Sequence, residues 1–162
     1  MMRAMAVDFT NDRSALTVDT QYMLGEALLV APVFSEDGEC SFYLPAVGVW
    51  TDIQTGEELS GGWYTRKYDY FGMPLMARPH SIIVYGDFKG TADYDYADNM
   101  HIVVYGLGEG DTAETCVYDR DGEKYAEIRA ERRGETVHIS VSGTDKPFTA
   151  ESAQGLGIVL NN

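Results

Sequence analysis

The chain has 162 residues, 44% hydrophobic and 12% aromatic, enough to build one or two buried cores without disulfide staples. Lys and Arg total 12 against 26 Asp and Glu, and the formal net charge of -14 repels phosphate backbones and anionic lipid headgroups, which argues against nucleic-acid and membrane partners. No stretch reaches the roughly 18 unbroken apolar residues of a membrane helix, and the N-terminal MMRAMAVDF lacks the regions of a secretory signal.

Cys40 and Cys116 lie far apart, with no CxxC pattern and no disulfide framework, and are read as free thiols in a reducing, cytoplasmic compartment. From Met1 to Phe9 both alternating faces are largely apolar, which predicts a strand covered on both sides. Thr10 to Arg13 is a polar turn. Asp19-Thr20 then opens a short predicted helix through Leu24, stopped by Gly25 in a left-handed conformation. Ala27 to Phe34 reads as a buried strand whose Pro32 argues for an edge or a bulge.

Beyond Pro32, the segments SFYLP, VWTDI, WYTRKY, PLMA and SIIVYG are strand candidates punctuated by Gly, Pro and Asp, at the spacing of an all-β domain. The stretch GDFKGTADYDYAD, Gly86 to Asp98, reads as a solvated linker. A second strand series follows, with MHIVVYGL, ETCVYD, YAEIRAE and TVHISVS joined by the turns Asp119-Arg120-Asp121-Gly122 and Arg132-Arg133-Gly134-Glu135. In the last of these strands Val137, Ile139 and Val141 share one face, and Thr136, His138 and Ser140 the wet one.

Taken together, MMRAMAVDFTND, DTQYMLGEALLVAPVFSEDGE, FYLPAVGVWTDIQTGEELSGGWY and PLMARPHSIIVYG resemble the C-terminal region of glycoside hydrolase family 31. The α-xylosidase branch fits best and α-glucosidases next, in order from Met1 to about Gly86 and more weakly to about Val141. The resemblance implies a mainly β chain: two small antiparallel β-sandwich-type domains preceded by the last strand and short helix of a (β/α)8 barrel. Residues 1–25 would be the barrel remnant, 26–88 the proximal sandwich and 89–162 the distal β domain, whose completeness is in question because only Gly143 to Asn162 follow TVHISVS. His80 stands where the family often has glycine after Arg-Pro, so a positive φ is expected there. Arg3, a charge on a two-sided apolar strand, would need a carboxylate from upstream of this chain, since an unpaired buried charge is very costly.

Retaining glycosidases use two carboxylates roughly 5–5.5 Å apart, one a nucleophile and one a general acid. In this family the nucleophile sits in strings like Lys-Thr-Asp-Phe-Gly-Glu or Trp-x-Asp-Met-Asn-Glu, and neither occurs in this sequence. No catalytic residue, cofactor or metal ligand is therefore assigned. A retaining α-glycosidase would use this region to brace its barrel, with room for homo-oligomer contacts, and the chain alone is expected to be inactive.

The competing expectation is a free-standing carbohydrate-binding β-sandwich. Its candidates for stacking on sugar rings are Trp63, Tyr64 and Trp50, drawn from an aromatic-rich segment whose members are more often core and rim. Asp93, Asp95 and Asp98 lack the spacing of a calcium loop. His80, His101 and His138 lack metal spacing.

Overall fold

Short strands separated by glycine turns build both halves of the chain. The computed structural model describes residues 1–91, 94–119 and 121–161, and the chain falls into two units, Met1–Pro79 and His80 onward. The sequence pattern had placed SIIVYG in the first β domain. The structure instead pairs Ser81–Tyr85 antiparallel with Met100–Tyr105, so the second unit begins before the Gly86 to Asp98 stretch. Asp93 and Arg120, named in the acidic stretch and in a turn, lie outside the described residues.

The first unit runs β1 (Met2–Ala4), α1 (Met5–Asp8), β2 (Tyr22–Leu24), β3 (Leu28–Val30), β4 (Glu39–Leu44), β5 (Trp50–Asp52), β6 (Glu58–Leu59), β7 (Gly62–Lys67) and β8 (Leu75–Ala77). Six strands form one sheet in the order β1-β2-β3-β8-β5-β6, and β4 pairs with β7 in a second. Met5, Met23, Leu29, Phe42, Leu44 and Trp50 are fully buried between these elements.

Two local expectations are corrected here. Met1–Phe9 is not one strand: it is a three-residue strand followed by a single helical turn. The reason is visible at Arg3, which donates to Asp8 Oδ2 at 2.9 Å and to the Gly25 carbonyl at 3.0 Å. Residues five apart on a strand point to opposite faces, about 17 Å along the chain, so only a coiled segment can close this pair. Arg3 therefore finds a carboxylate in Asp8 of its own chain.

The expected helix from Asp19 to Leu24 is instead the strand β2, antiparallel to β1 and β3. Gly25 does adopt a positive φ of 63°, but there it turns a hairpin, because the same left-handed residue serves either element. The following strand stops at Val30, two residues before Pro32, whose ring nitrogen has no proton to give to a ladder.

The second unit runs β9 (Ser81–Tyr85), β10 (Met100–Tyr105), β11 (Thr112–Tyr118), β12 (Lys124–Arg133), β13 (Thr136–Ser142), β14 (Phe148–Ser152) and β15 (Gly157–Asn161). Its sheets are β14-β10-β9 and β11-β12-β13-β15, closed over Ile102, Leu107, Ile128, Ala130, Val137 and Ile139. The predicted alternation holds: Val137 and Ile139 are buried, and Val141 packs against the same core. Two pairings, β10 with β14 and β13 with β15, are parallel. They arise because the chain leaves β13, adds β14 to the other sheet and returns, the long crossover that a parallel pair requires.

His80 has φ 58°, as its glycine-like position predicts, and its Nε2 lies 3.0 Å from Asp111 Oδ2. Both cysteines are free. Cys40 is buried with its Sγ directed at the Ala31 carbonyl, and burial pushes its thiol pKa up, whereas Cys116 is half-buried. Because the thiolate is the reactive form, an aromatic disulfide reagent is expected to modify Cys116 in the native protein and Cys40 only after unfolding. Equal rates for the two thiols would contradict the buried position of Cys40.

Candidate functional site

The three aromatic candidates have three different fates, and the strand register explains them. On β4, Cys40, Phe42 and Leu44 point into the core, so Ser41 and Tyr43 point out. Across the ladder Tyr43 faces Trp63 and Ser41 faces Thr65, which puts Trp63 on the outer face and turns Tyr64 inward. Trp63 is 57% exposed, with its ring centre 5.2 Å from that of Tyr43. Beside this aromatic ledge the Ser41 and Thr65 hydroxyls bond each other at 2.7 Å. Gln21 holds the ledge from behind, bonding both the Tyr43 N–H and the Tyr43 carbonyl at 2.7 Å. The Tyr43 hydroxyl donates to Asp12 Oδ2.

Trp50 cannot stack on a ligand. It is 0% exposed, and its indole N–H donates to the Pro45 carbonyl at 2.9 Å. Tyr64 is also withdrawn: its ring stacks on Phe42 at 5.6 Å, and its hydroxyl donates to the Ser60 carbonyl. Of the three, only Trp63 presents an open aromatic face. The ledge offers a flat apolar surface with hydroxyls beside it, which suits a weak contact with a polyol.

A second feature lies where the sequence pattern had suggested only a linker and a turn. In the second unit a cleft of ≈ 330 Å³ is lined by Tyr94, Tyr96, Tyr118, Tyr125, Asp119 and Asp121. The stretch before β10 is not a bare solvated spacer, because Ala97 is 1% exposed and Asp95 accepts from the Ala97 N–H at 3.0 Å. Asp95 also pairs with Lys146, which holds its carboxyl below the usual range. The one available signal was the repetition of tyrosine beside aspartate in Tyr94-Asp95-Tyr96 and Tyr118-Asp119. The pattern by itself does not say that these segments meet.

The Asp119 turn behaves as a turn. Asp119 Oδ1 accepts from the N–H groups of Asp121 and Glu123 at 2.9 and 2.8 Å, and Gly122 takes φ 84°. Among the described residues no group of three or more His, Cys, Asp or Glu side chains is placed to hold a metal ion.

Comparison with known proteins carries the question further. Residues 1–83, just over half of the chain, match the glycosyl hydrolase family 31 C-terminal domain. The chain belongs to glycoside hydrolase family 31. Residues 95–157 match the C-terminal domain of the α-xylosidase YicI, so both units are matched in chain order.

Among family 31 relatives, the chain is 35% identical over 147 residues to the α-xylosidase XylQ of Lactiplantibacillus pentosus, covering 88% of this chain and 19% of that protein. An α-xylosidase of Emericella nidulans is 34% identical over 116 residues, 65% of this chain and 15% of its own length. A cycloalternan-forming enzyme of Listeria monocytogenes, solved with a pentasaccharide substrate, superposes with a TM-score of 0.79 at 31% identity, covering 94% of this chain and 15% of that one. The chain thus spans less than a fifth of these family 31 proteins, and what it matches is their C-terminal, non-catalytic β region.

Proposed function

We propose that this chain is the C-terminal bracing region of a retaining α-glycosidase that removes terminal α-xylosyl or α-glucosyl residues in the cytoplasm. The observation that carries the reading is the ordered match of both units to family 31 C-terminal domains, together with 35% identity to an α-xylosidase. In a barrel enzyme the reacting groups come from several strand ends held in one frame, and the described residues, with a single four-residue helix, do not build such a frame.

A barrel partner is supported by the first unit's exposed aromatics. Phe34, Tyr70 and Phe71 are 76%, 96% and 89% exposed, and the last two meet edge to face at 5.6 Å. An exposed aromatic pair such as Tyr70 and Phe71 suits a surface that another domain covers, where it forms part of a contiguous apolar patch. Homo-oligomer contacts belong to the same proposal, to be read from sedimentation of the whole enzyme. The free thiols Cys40 and Cys116 support a reducing compartment.

Two measurements test this reading. The purified chain, incubated with an aryl α-xyloside and an aryl α-glucoside, is expected to show no turnover above buffer. Sustained hydrolysis that copurifies with the chain would overturn it. The DNA upstream of Met1 is expected to continue in frame through an aspartate motif of the Lys-Thr-Asp type, and a stop codon with a promoter there would favour a free-standing binding module instead.

A further inference from the structure

The tyrosine cleft of the second unit is absorbed neither by the family's chemistry nor by the bracing role. We propose that it is a docking site for a neutral oligosaccharide, one pyranose ring lying against the phenol rings of Tyr94, Tyr96, Tyr118 and Tyr125 with its hydroxyls donating to Asp119 and Asp121. A pyranose presents axial C–H groups that pack on aromatic faces and a rim of hydroxyls that need acceptors, and the cleft provides both kinds of surface at one place. Its ≈ 330 Å³ falls within the size of small-molecule sites, about 300–1,000 Å³.

The walls are held before any ligand arrives. The Tyr94 ring packs edge to face against Phe88, with centres 6.1 Å apart, and against Tyr96 at 5.0 Å. Gly86 permits this seat, since a Cβ there would stand 2.7 Å from the Tyr94 hydroxyl and 2.9 Å from its ring. Across the cleft, the Asp119 carboxylate is tied to the Asp121 and Glu123 N–H groups, which fixes where it sits. Preorganised aromatic walls bind at less cost in side-chain ordering than mobile ones.

Charge selects among ligand classes. Three aspartates and a chain carrying -14 disfavour phosphorylated or carboxylated ligands. A cationic ligand for an aromatic cage is the nearest competitor. That role is already filled from within, because the Lys146 ammonium pairs with Asp95 and lies 5.8 Å from the centre of the Tyr125 ring. What the site lacks is a partner that brings hydroxyl donors and a flat C–H face.

Binding here is separable from hydrolysis, so the test reads binding alone. The chain carrying 3-fluorotyrosine is titrated with maltotriose, isomaltotriose and xylotriose while its fluorine resonances are followed. At least one sugar is expected to give saturable shifts, weakened roughly tenfold or more in Tyr118→Ala and unchanged in Trp63→Ala. Tyr118 is 53% exposed, and Tyr96→Ala, at a residue 37% exposed, serves as a second variant; thermal unfolding of each confirms that it folds. The proposal is overturned by the absence of saturable shifts with all three sugars. Binding that survives Tyr118→Ala and Tyr96→Ala but fails in Trp63→Ala would overturn it in favour of the hairpin ledge. Saturation by choline without any response to sugars would overturn it in favour of a cation cage.

Discussion

Trp50→Ala is expected to lower the unfolding free energy by about 3–5 kcal/mol, read as a drop in the urea midpoint with an unchanged slope. Trp50 is fully buried and shares the first core with Phe9, whose ring lies 6.2 Å away at a tilt of 57°. Removing the indole leaves a cavity that neighbouring strands fill only in part, and it strips the Pro45 carbonyl of the N–H that it accepts at 2.9 Å. Trp50→Phe keeps most of the volume and loses the hydrogen bond, so a smaller loss of about 1–2 kcal/mol is expected. A loss below about 1 kcal/mol in Trp50→Ala would show that the first core does not depend on this side chain.

The same burial has a functional consequence. Of the two tryptophans, only Trp63 is open to solvent, so acrylamide should quench Trp63 selectively. Any sugar-dependent change in tryptophan emission would then report the hairpin ledge rather than the core.

Gly38→Ala is expected to cost at least about 2–3 kcal/mol, although it adds one methyl group near the surface. Gly38 has φ 79°, and a Cβ there would stand 2.2 Å from the Tyr68 carbonyl oxygen. That oxygen belongs to backbone and is held close because the Tyr68 N–H donates to the Gly38 carbonyl at 2.9 Å. Relieving the clash means parting the ends of β4 and β7, the two strands that carry Tyr43 and Trp63.

Gly56→Ala is the control. Gly56 has nearly the same φ, 76°, and nothing within 4 Å of an added Cβ, so only the left-handed strain of about 1–2 kcal/mol applies. Equal losses in the two variants, measured by chemical denaturation, would mean that the hairpin absorbs the methyl group and that the close approach is not a constraint.

Much of this protein is legible where the determinant is local. His80 stands in a glycine-like position and takes a positive φ, as Arg78-Pro79-His80 predicts. The alternation of Val137, Ile139 and Val141 assigns a core face that the second unit uses. The Asp119 to Gly122 turn follows from side chains that bond their own backbone and tolerate left-handed dihedrals.

Where the reading departs from the structure, the deciding contact lies outside the local residue pattern. Arg3 draws a helical turn out of an apolar run because Asp8 and Gly25 are both within its reach. Residues from Tyr22 to Leu24 join a sheet because β1 and β3 offer ladders on either side, which outweighs a weak local preference for helix. Of the aromatic candidates, Trp63 and Tyr64 could be told apart by the alternation of their strand. The burial of Trp50 depends on what the six-stranded sheet places over it. The tyrosine cleft was the least legible feature, since Tyr94 and Tyr118 come from a stretch that looks like a spacer and from a strand end that looks like a turn.

The amino-acid sequence by itself determined the glycoside hydrolase family, the mainly β character, the charge that disfavours anionic partners and the turns that glycine and aspartate impose. The last three depend on residue chemistry or on neighbours a few positions apart, whereas the family is read from a resemblance carried by separated motifs between Met1 and about Gly86. Only the tertiary structure decided that Trp50 is core and Trp63 is surface, that Arg3 is neutralised within its own chain, and that four tyrosines converge on one cleft. A period of two states which residues share a face, but whether that face is covered, and which remote side chains it meets, depends on pairings that close over many residues.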